Sequence, residues 1–324
     1  YQSCDFNYKT WGDSAVEDFY FYPDGFGVRK LTLQCDPKAN YEVNELIILT
    51  PQSTYPFRVL PSNLVDILFM DGQKRELEFP FYASDQKGKM QPRDIPAIYR
   101  IRMHKNESMA AVCFSPLEKN LPMSPYGHFT DQGQVVTPVY WCSHWPLARG
   151  NKTGGAIDDR IRFTPCHNSI MTWGYFLHPE PVRTARFEML DTLGRSKPMV
   201  RQTWAWLIGM SNADDARLLQ WARSFSAPPS LTLRGARLDA ESYVPERRAL
   251  RLVVEDRTVV IEVEPHEVCV NPIFELTNAP KELARVQLGE HTLAAREYAR
   301  DGHPLWIDAT ILEATTLTLE FSDS

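Results

Sequence analysis

Asp71-Gly72 stands between two runs rich in apolar residues, NLVDILFM at 63–70 and RELEFPFYA at 75–83. Glycine accepts a positive φ that other residues resist, so Asp-Gly at this spacing folds the flanking runs back on each other as an antiparallel hairpin. The same device occurs at Pro23-Asp24-Gly25, between EDFYFYP and FGVRKLTLQC. There Pro presets φ for the first turn position and Gly closes the turn. AIYRIRM at 97–103 and MAAVCF at 109–114 flank Lys105-Asn106 as a further pair. Reversals this frequent, with 24 Pro in the chain, leave room for short antiparallel strands and little for long helices.

Other runs extend this pattern. YEVNELIILT at 41–50 is strand-like, 117–170 loosens into Pro, Gly, Ser, Asn and Trp around the strand QVVTPVYWC, and SIMTWGYFL, ARFEML and WAWLIGM follow. One helix is expected over 211–225, with Ser211 as cap, Asp214 and Asp215 at its positive end, and Leu218, Trp221, Ala222 and Phe225 on one face. Pro228-Pro229 stops it. From 230 onward SLTLRGARL, ALRLVVED, TVVIEVE, VCVNPIFELTN, ARVQLGE, PLWIDATI and TLTLEFS succeed one another at the spacing of a small sandwich. The expected fold is therefore all-β. An antiparallel domain spans 1–210, a helix and Pro linker 211–229, and a C-terminal β-sandwich 230–324. YQSCDFNY opens without Met or a signal-peptide pattern and alternates like a strand already under way, so we expect a processed start or further residues upstream.

At 324 residues, 43% hydrophobic and 23% charged, the chain can bury a core. A formal net charge of -6 argues against a nucleic-acid or anionic-membrane surface, and no apolar run is long enough to form a transmembrane helix. The six Cys, at 4, 35, 113, 142, 166 and 269, are too dispersed for a disulfide scaffold. Sequons stand at Asn106 and Asn151.

Chemistry concentrates in YWCSHWPLARGNKTGG, residues 140–155, and CHNSIMTWG, residues 166–174. Tyr140 or His144 beside Arg149 supplies a base next to a cation, which proton abstraction alpha to a carboxylate requires. That is the chemistry of β-elimination by a polysaccharide lyase, and His167 and Asn168 add a second imidazole and an amide donor. Trp141, Trp145 and Trp173, with Arg160, are candidate substrate contacts, since sugar rings stack on aromatic faces. Trp204, Trp206 and Trp221 read instead as core. Asp158-Asp159 would suit glycoside hydrolysis, but adjacent residues on an extended chain point apart and cannot form the pair by themselves. Cys142, His144, Cys166 and His167 carry zinc-type donors at a non-standard spacing, and a Cys142–Cys166 disulfide or two buried thiols suit the same residues. No cofactor or metal site is predicted, and a divalent metal is left open.

Three blocks, WGDSAVEDFYFYPDGFGVRKLTL, YWCSHWPLARG and WLIGMSNADDARLLQWARSFSAPPSL, resemble the C-terminal portion of bacterial carbohydrate-active proteins built on a β-supersandwich. In that family a YPDGVGVRK-type hairpin precedes an NHWP-type loop and a small β-sandwich follows. The resemblance spans most of the chain and implies a supersandwich-like first domain, action on a polysaccharide or oligosaccharide, and a secreted or periplasmic location. It names no substrate. Where the family has Asn before His-Trp-Pro, Ser143 stands here. Three functions remain open at this point: a lyase of a uronate-containing glycan, a glycoside hydrolase, and a non-catalytic glycan-binding module.

Overall fold

The computed structural model describes residues 2–4, 11–38, 42–44, 47–50, 56–78, 81–82, 93–117, 127–130, 133–136, 166–169, 172–174, 180–190 and 193–322. Side chains are described for 14–38, 58–78, 93–117, 180–190 and 193–322. The protein is mostly strand, as the turn chemistry requires, with one helix longer than a single turn among the described residues.

Two compact units are present. The first comprises Tyr1–Val16, Thr32–Thr203 and Gly209–Asn212. The second comprises Glu17–Leu31, Trp204–Ile208 and Ala213–Ser324. The hairpin around Asp24 and the WAWLI run thus cluster with the C-terminal strands rather than with the first part of the chain.

In the first unit, Val65–Phe69 lies between Lys74–Leu77 and Ala97–Arg102, and Ala110–Phe114 adds to the far side of the latter. All three pairings are antiparallel, and the Asp71-Gly72 turn sets the first register, Leu68 opposite Lys74, with Gly72 at φ 85. Val65–Phe69 and Ala110–Phe114 are buried on both faces, so they lack the one-sided alternation of a surface strand. Arg183–Leu190 pairs with the N-terminal part of the 16-residue strand Ser196–Ser211. Within and beside YEVNELIILT and SIMTWGYFL the described residues include four short strands. Ile47–Thr50 pairs with Cys166–Ser169, and Glu42–Asn44 with Thr172–Gly174.

The second unit holds a two-sheet sandwich. One sheet runs, in spatial order, Ser230–Arg234, Thr258–Glu264, Thr315–Phe321, Leu283–Leu288, His291–Thr292. The other runs Ala236–Val244, Ala249–Val254, Ile273–Thr277, Pro304–Ile307, Tyr298–Arg300, with one parallel pairing, Ala249–Val254 on Ile273–Thr277. Period-2 alternation sends Leu250, Leu252, Val254, Val259, Ile261, Val263, Leu317, Leu319 and Phe321 into one core. Each fully buried aliphatic side chain contributes about 1.5–3 kcal/mol relative to exposure.

SLTLRGARL, read as one strand, is two. Gly235, at φ 73, turns the chain from the first sheet into the second, and a Cβ there would collide with the Thr258 carbonyl oxygen. Its own carbonyl accepts from the amides of Glu255 and Asp256 at 2.9 and 3.0 Å, which fixes the corner.

The helix is Asp215–Ser226 and starts later than the sequence suggests. Ser211 is still the last residue of a strand, and Asp214 is the cap, its carboxylate accepting from the Arg217 amide at 2.8 Å. Leu218, Trp221, Ala222 and Phe225 are its buried face, as the spacing predicts. Trp221 stacks on Phe26 of the hairpin with ring centroids 4.4 Å apart.

Candidate functional site

Of the residues singled out for chemistry, Tyr140, Trp141, His144, Trp145, Arg149 and Arg160 lie outside the described residues, as do Cys142, Asp158 and Asp159. His167 and Asn168 lie on Cys166–Ser169, opposite Leu49 and Ile48. Trp173 lies opposite Val43. The backbone therefore brings Ile47–Thr50 to Cys166–Ser169 and Glu42–Asn44 to Thr172–Gly174 across more than a hundred residues, although their side chains are outside the described set. Trp204, Trp206 and Trp221 are buried, in line with a core role. Cys35, Cys113 and Cys269 are buried thiols. Among the described residues no three His, Cys, Asp or Glu come together as a metal site. No described helix is long and apolar enough to cross a membrane.

Among the described residues two buried aspartates, one in each unit, gather polar partners. In the first unit the Asp66 carboxylate is fully buried. It accepts from Arg100 Nε at 3.0 Å and from Arg102 Nη1 and Nη2 at 2.9 and 2.7 Å, with Lys74 Nζ at 3.4 Å. The strand register dictates this gathering, since Arg100 lies directly opposite Asp66, while Arg102 and Lys74 are two positions along the neighbouring strands.

In the second unit the Pro-Asp-Gly turn places Asp24 in a different setting. Its Oδ1 accepts from the Phe26 amide at 2.8 Å, which closes the turn. Its Oδ2 accepts from Arg248 Nη2 at 2.7 Å, Trp306 Nε1 at 3.0 Å and Asn271 Nδ2 at 3.3 Å. Arg248 and Asn271 both adopt left-handed backbone, at φ 51 and 45. That conformation costs about 1–2 kcal/mol in a non-glycine residue, and here it accompanies donors converging on one carboxylate. Arg248 is sandwiched between the rings of Tyr22 and Trp221, at 5.1 and 4.8 Å. Its Nε and Nη1 have no hydrogen-bond partner, so the aromatic faces are what offset its remaining desolvation. Both carboxylates are buried and satisfied by donors, which makes them structural anchors.

Burial also suppresses ionisation around Arg248. Desolvation pushes the Cys269 thiol up to about 12 and raises the Tyr243 phenol, whose hydroxyl donates to the Phe225 carbonyl at 3.3 Å. Neither group supplies a base at neutral pH.

An open feature among the described residues of this unit is a cleft of about 980 Å³ between the turn after Ile273–Thr277 and the edge strand Tyr298–Arg300. Lys281, Glu282, Tyr298, Arg300 and His303 bring its polar groups, over small residues that include Ala279, Ala295 and Ala299. Arg300 is tied by Nη2 to the Pro280 carbonyl at 2.7 Å and by Nε to the Gly302 carbonyl at 3.2 Å. It lies 5.4 Å from the Phe321 ring centroid, and burial lowers its basicity from the usual arginine value without removing its charge. His303 Nδ1 is 2.9 Å from the Leu276 carbonyl. A carbonyl only accepts, so Nδ1 carries the proton and a neutral ring leaves Nε2 as an acceptor.

None of these five residues stood out in the sequence. Asp301-Gly302 marks a turn, at φ 64 for the glycine, and the His that follows it was the available signal. No protein family, curated protein or solved structure matches the chain.

Proposed function

We propose that the protein processes a polysaccharide outside the cytoplasm, as a lyase that cleaves a uronate-containing glycan by β-elimination. The observation that carries this is the gathering of Tyr140, His144 and Arg149 with Trp141 and Trp145 in one short segment. Tyr140 or His144 takes the proton alpha to the uronate carboxylate. The electrons of that C–H bond form a C=C bond as the glycosidic C–O bond breaks, and the departing oxygen is protonated. Arg149, with His167 or Asn168, offsets the enolate-like charge that develops on the carboxylate. Trp141, Trp145 and Trp173 stack against neighbouring sugar rings, and Arg160 meets a carboxylate along the chain. The all-β architecture accommodates this chemistry without specifying it, because activity resides in side chains grafted on a fold.

The test is to incubate the chain with a panel of acidic and neutral polysaccharides while following ultraviolet absorbance and reducing ends together. A lyase yields the absorbance of an unsaturated uronide, and His144→Ala lowers the rate by about 100-fold or more. Reducing ends without that absorbance would replace the lyase by a hydrolase, with Asp158 or Asp159 as the residues to substitute. Neither signal on any glycan, with affinity lost in Trp141→Ala but kept in His144→Ala, would leave a binding module.

A further inference from the structure

We propose that the cleft between Ala279–Leu283 and Ala295–His303 in the C-terminal sandwich is a second glycan-binding site, specific for carboxylate-bearing sugars. The glycan part of this inference rests on the function proposed above, whereas the preference for acid rests on the charges in the cleft.

Several arginines elsewhere in this unit are neutralised by carboxylates. Arg237 meets Glu255, Arg247 and Arg251 meet Glu275, Arg248 meets Asp24 and Arg285 meets Glu320. Arg300 and Lys281 differ. Among the described residues neither forms an ion pair, and Arg300 instead spends two donors on backbone carbonyls that carry no net charge. Its Nη1 is buried with no hydrogen-bond partner. Glu282 is the one carboxylate in the lining against Lys281 and Arg300, so the cleft carries a net positive charge in a chain whose formal charge is -6.

Fixed positive charge beside a partly desolvated guanidinium attracts an anion more strongly than the same charge in open water. A sugar acid also matches the other groups. The half-buried Tyr298 ring and the three alanines offer apolar surface to the C–H face of a pyranose, while the His303 ring and the Glu282 carboxylate offer hydrogen-bonding groups to its hydroxyls. The volume is at the upper end of the roughly 300–1,000 Å³ of small-ligand pockets, ample for an oligosaccharide segment.

The test uses the full chain in calorimetric titration with an oligogalacturonate, its methyl-esterified counterpart and a neutral cello-oligosaccharide. The acidic oligomer is expected to bind about tenfold or more tightly than the other two, with affinity falling as salt rises. Lys281 is exposed and unpaired, so Lys281→Glu keeps the wild-type Tm and weakens acidic binding by about tenfold or more. Arg300→Gln gives a similar loss, read alongside its own Tm because it also removes the ties to Pro280 and Gly302. No binding by the wild-type chain, equal affinity for acid and ester, or unchanged binding in Lys281→Glu would each overturn the proposal. Failure of the catalytic reading is separable from failure of this one. A chain that binds through Lys281 but yields no unsaturated product loses only the former, and one that cleaves while Lys281→Glu binds as wild type loses only the latter.

Discussion

Asp66 in the first unit and Asp24 in the second are both buried carboxylates, yet they are held by different means. Asp66 is surrounded by three cations on adjacent strands, whose side chains keep 15–28% exposure and so remain partly hydrated. Asp24 has a single cation, Arg248, only 6% exposed, and takes its other donors from a backbone amide, an indole and a carboxamide. A surplus of cations is tolerable where water still reaches them. Deep in a sandwich, one-to-one charge with neutral donors is the less costly solution, because every unmatched charge there must be desolvated.

The comparison can be broken by mutation. Asp24→Ala leaves Arg248 buried without its carboxylate, and a loss of about 3–5 kcal/mol is expected in denaturant unfolding. Asp66→Ala is expected to lose less, about 1.5–3 kcal/mol, because its three partners can turn toward solvent. If Asp66→Ala proved the more damaging, hydration of the cations would not be what separates the two centres.

Alkaline pH addresses the second unit. The Cys269 thiol sits at about 12 in the folded protein against an ordinary 9.0, and Tyr243 is shifted in the same direction. Below pH 9 both states hold the thiol proton. From there toward 12 the unfolded chain ionises while the folded one does not, so stability falls over that range, by on the order of 1–4 kcal/mol from Cys269. Denaturant unfolding of Cys269→Ala against wild type from pH 8 to 11 measures this, and parallel curves would refute it.

Smaller effects refine the contrast. Trp306→Phe keeps an aromatic ring but removes the indole N–H donor to Asp24, and should lose about 1–2 kcal/mol. Lys74→Met takes the longest contact from Asp66 and should change stability by less than about 1 kcal/mol, still less at high salt. Equal losses in these two variants would show that a neutral donor in the sandwich is worth no more than a half-exposed lysine on the sheet.

Local features of the fold were legible in the residues. Asp71-Gly72 and Pro23-Asp24-Gly25 turn where their chemistry requires, and the helix buries Leu218, Trp221, Ala222 and Phe225 as the 3.6-residue spacing demands. The helix start was missed because Ser211 and Asp214 are both good caps, and what decided between them was how far the preceding strand ran. The split at Gly235 was missed because a lone glycine in an alternating run looks like any strand glycine until the Thr258 carbonyl occupies the place of its Cβ. The cleft left only the trace of a His after a turn, because its cations come from Lys281 and Arg300, on separate segments that only the folded sandwich brings together.

By itself, then, the sequence determined an all-β protein with one amphipathic helix, since strands, turns and a helix face follow from near neighbours and periodicity. Only the tertiary structure decided that a turn residue, Asp24, would become a buried anchor. Its donors come from positions 248, 271 and 306, and no spacing rule relates residues that meet only when the chain closes on itself. The same closure decided that Arg300, at the cleft, would meet backbone carbonyls and, among the described residues, no carboxylate.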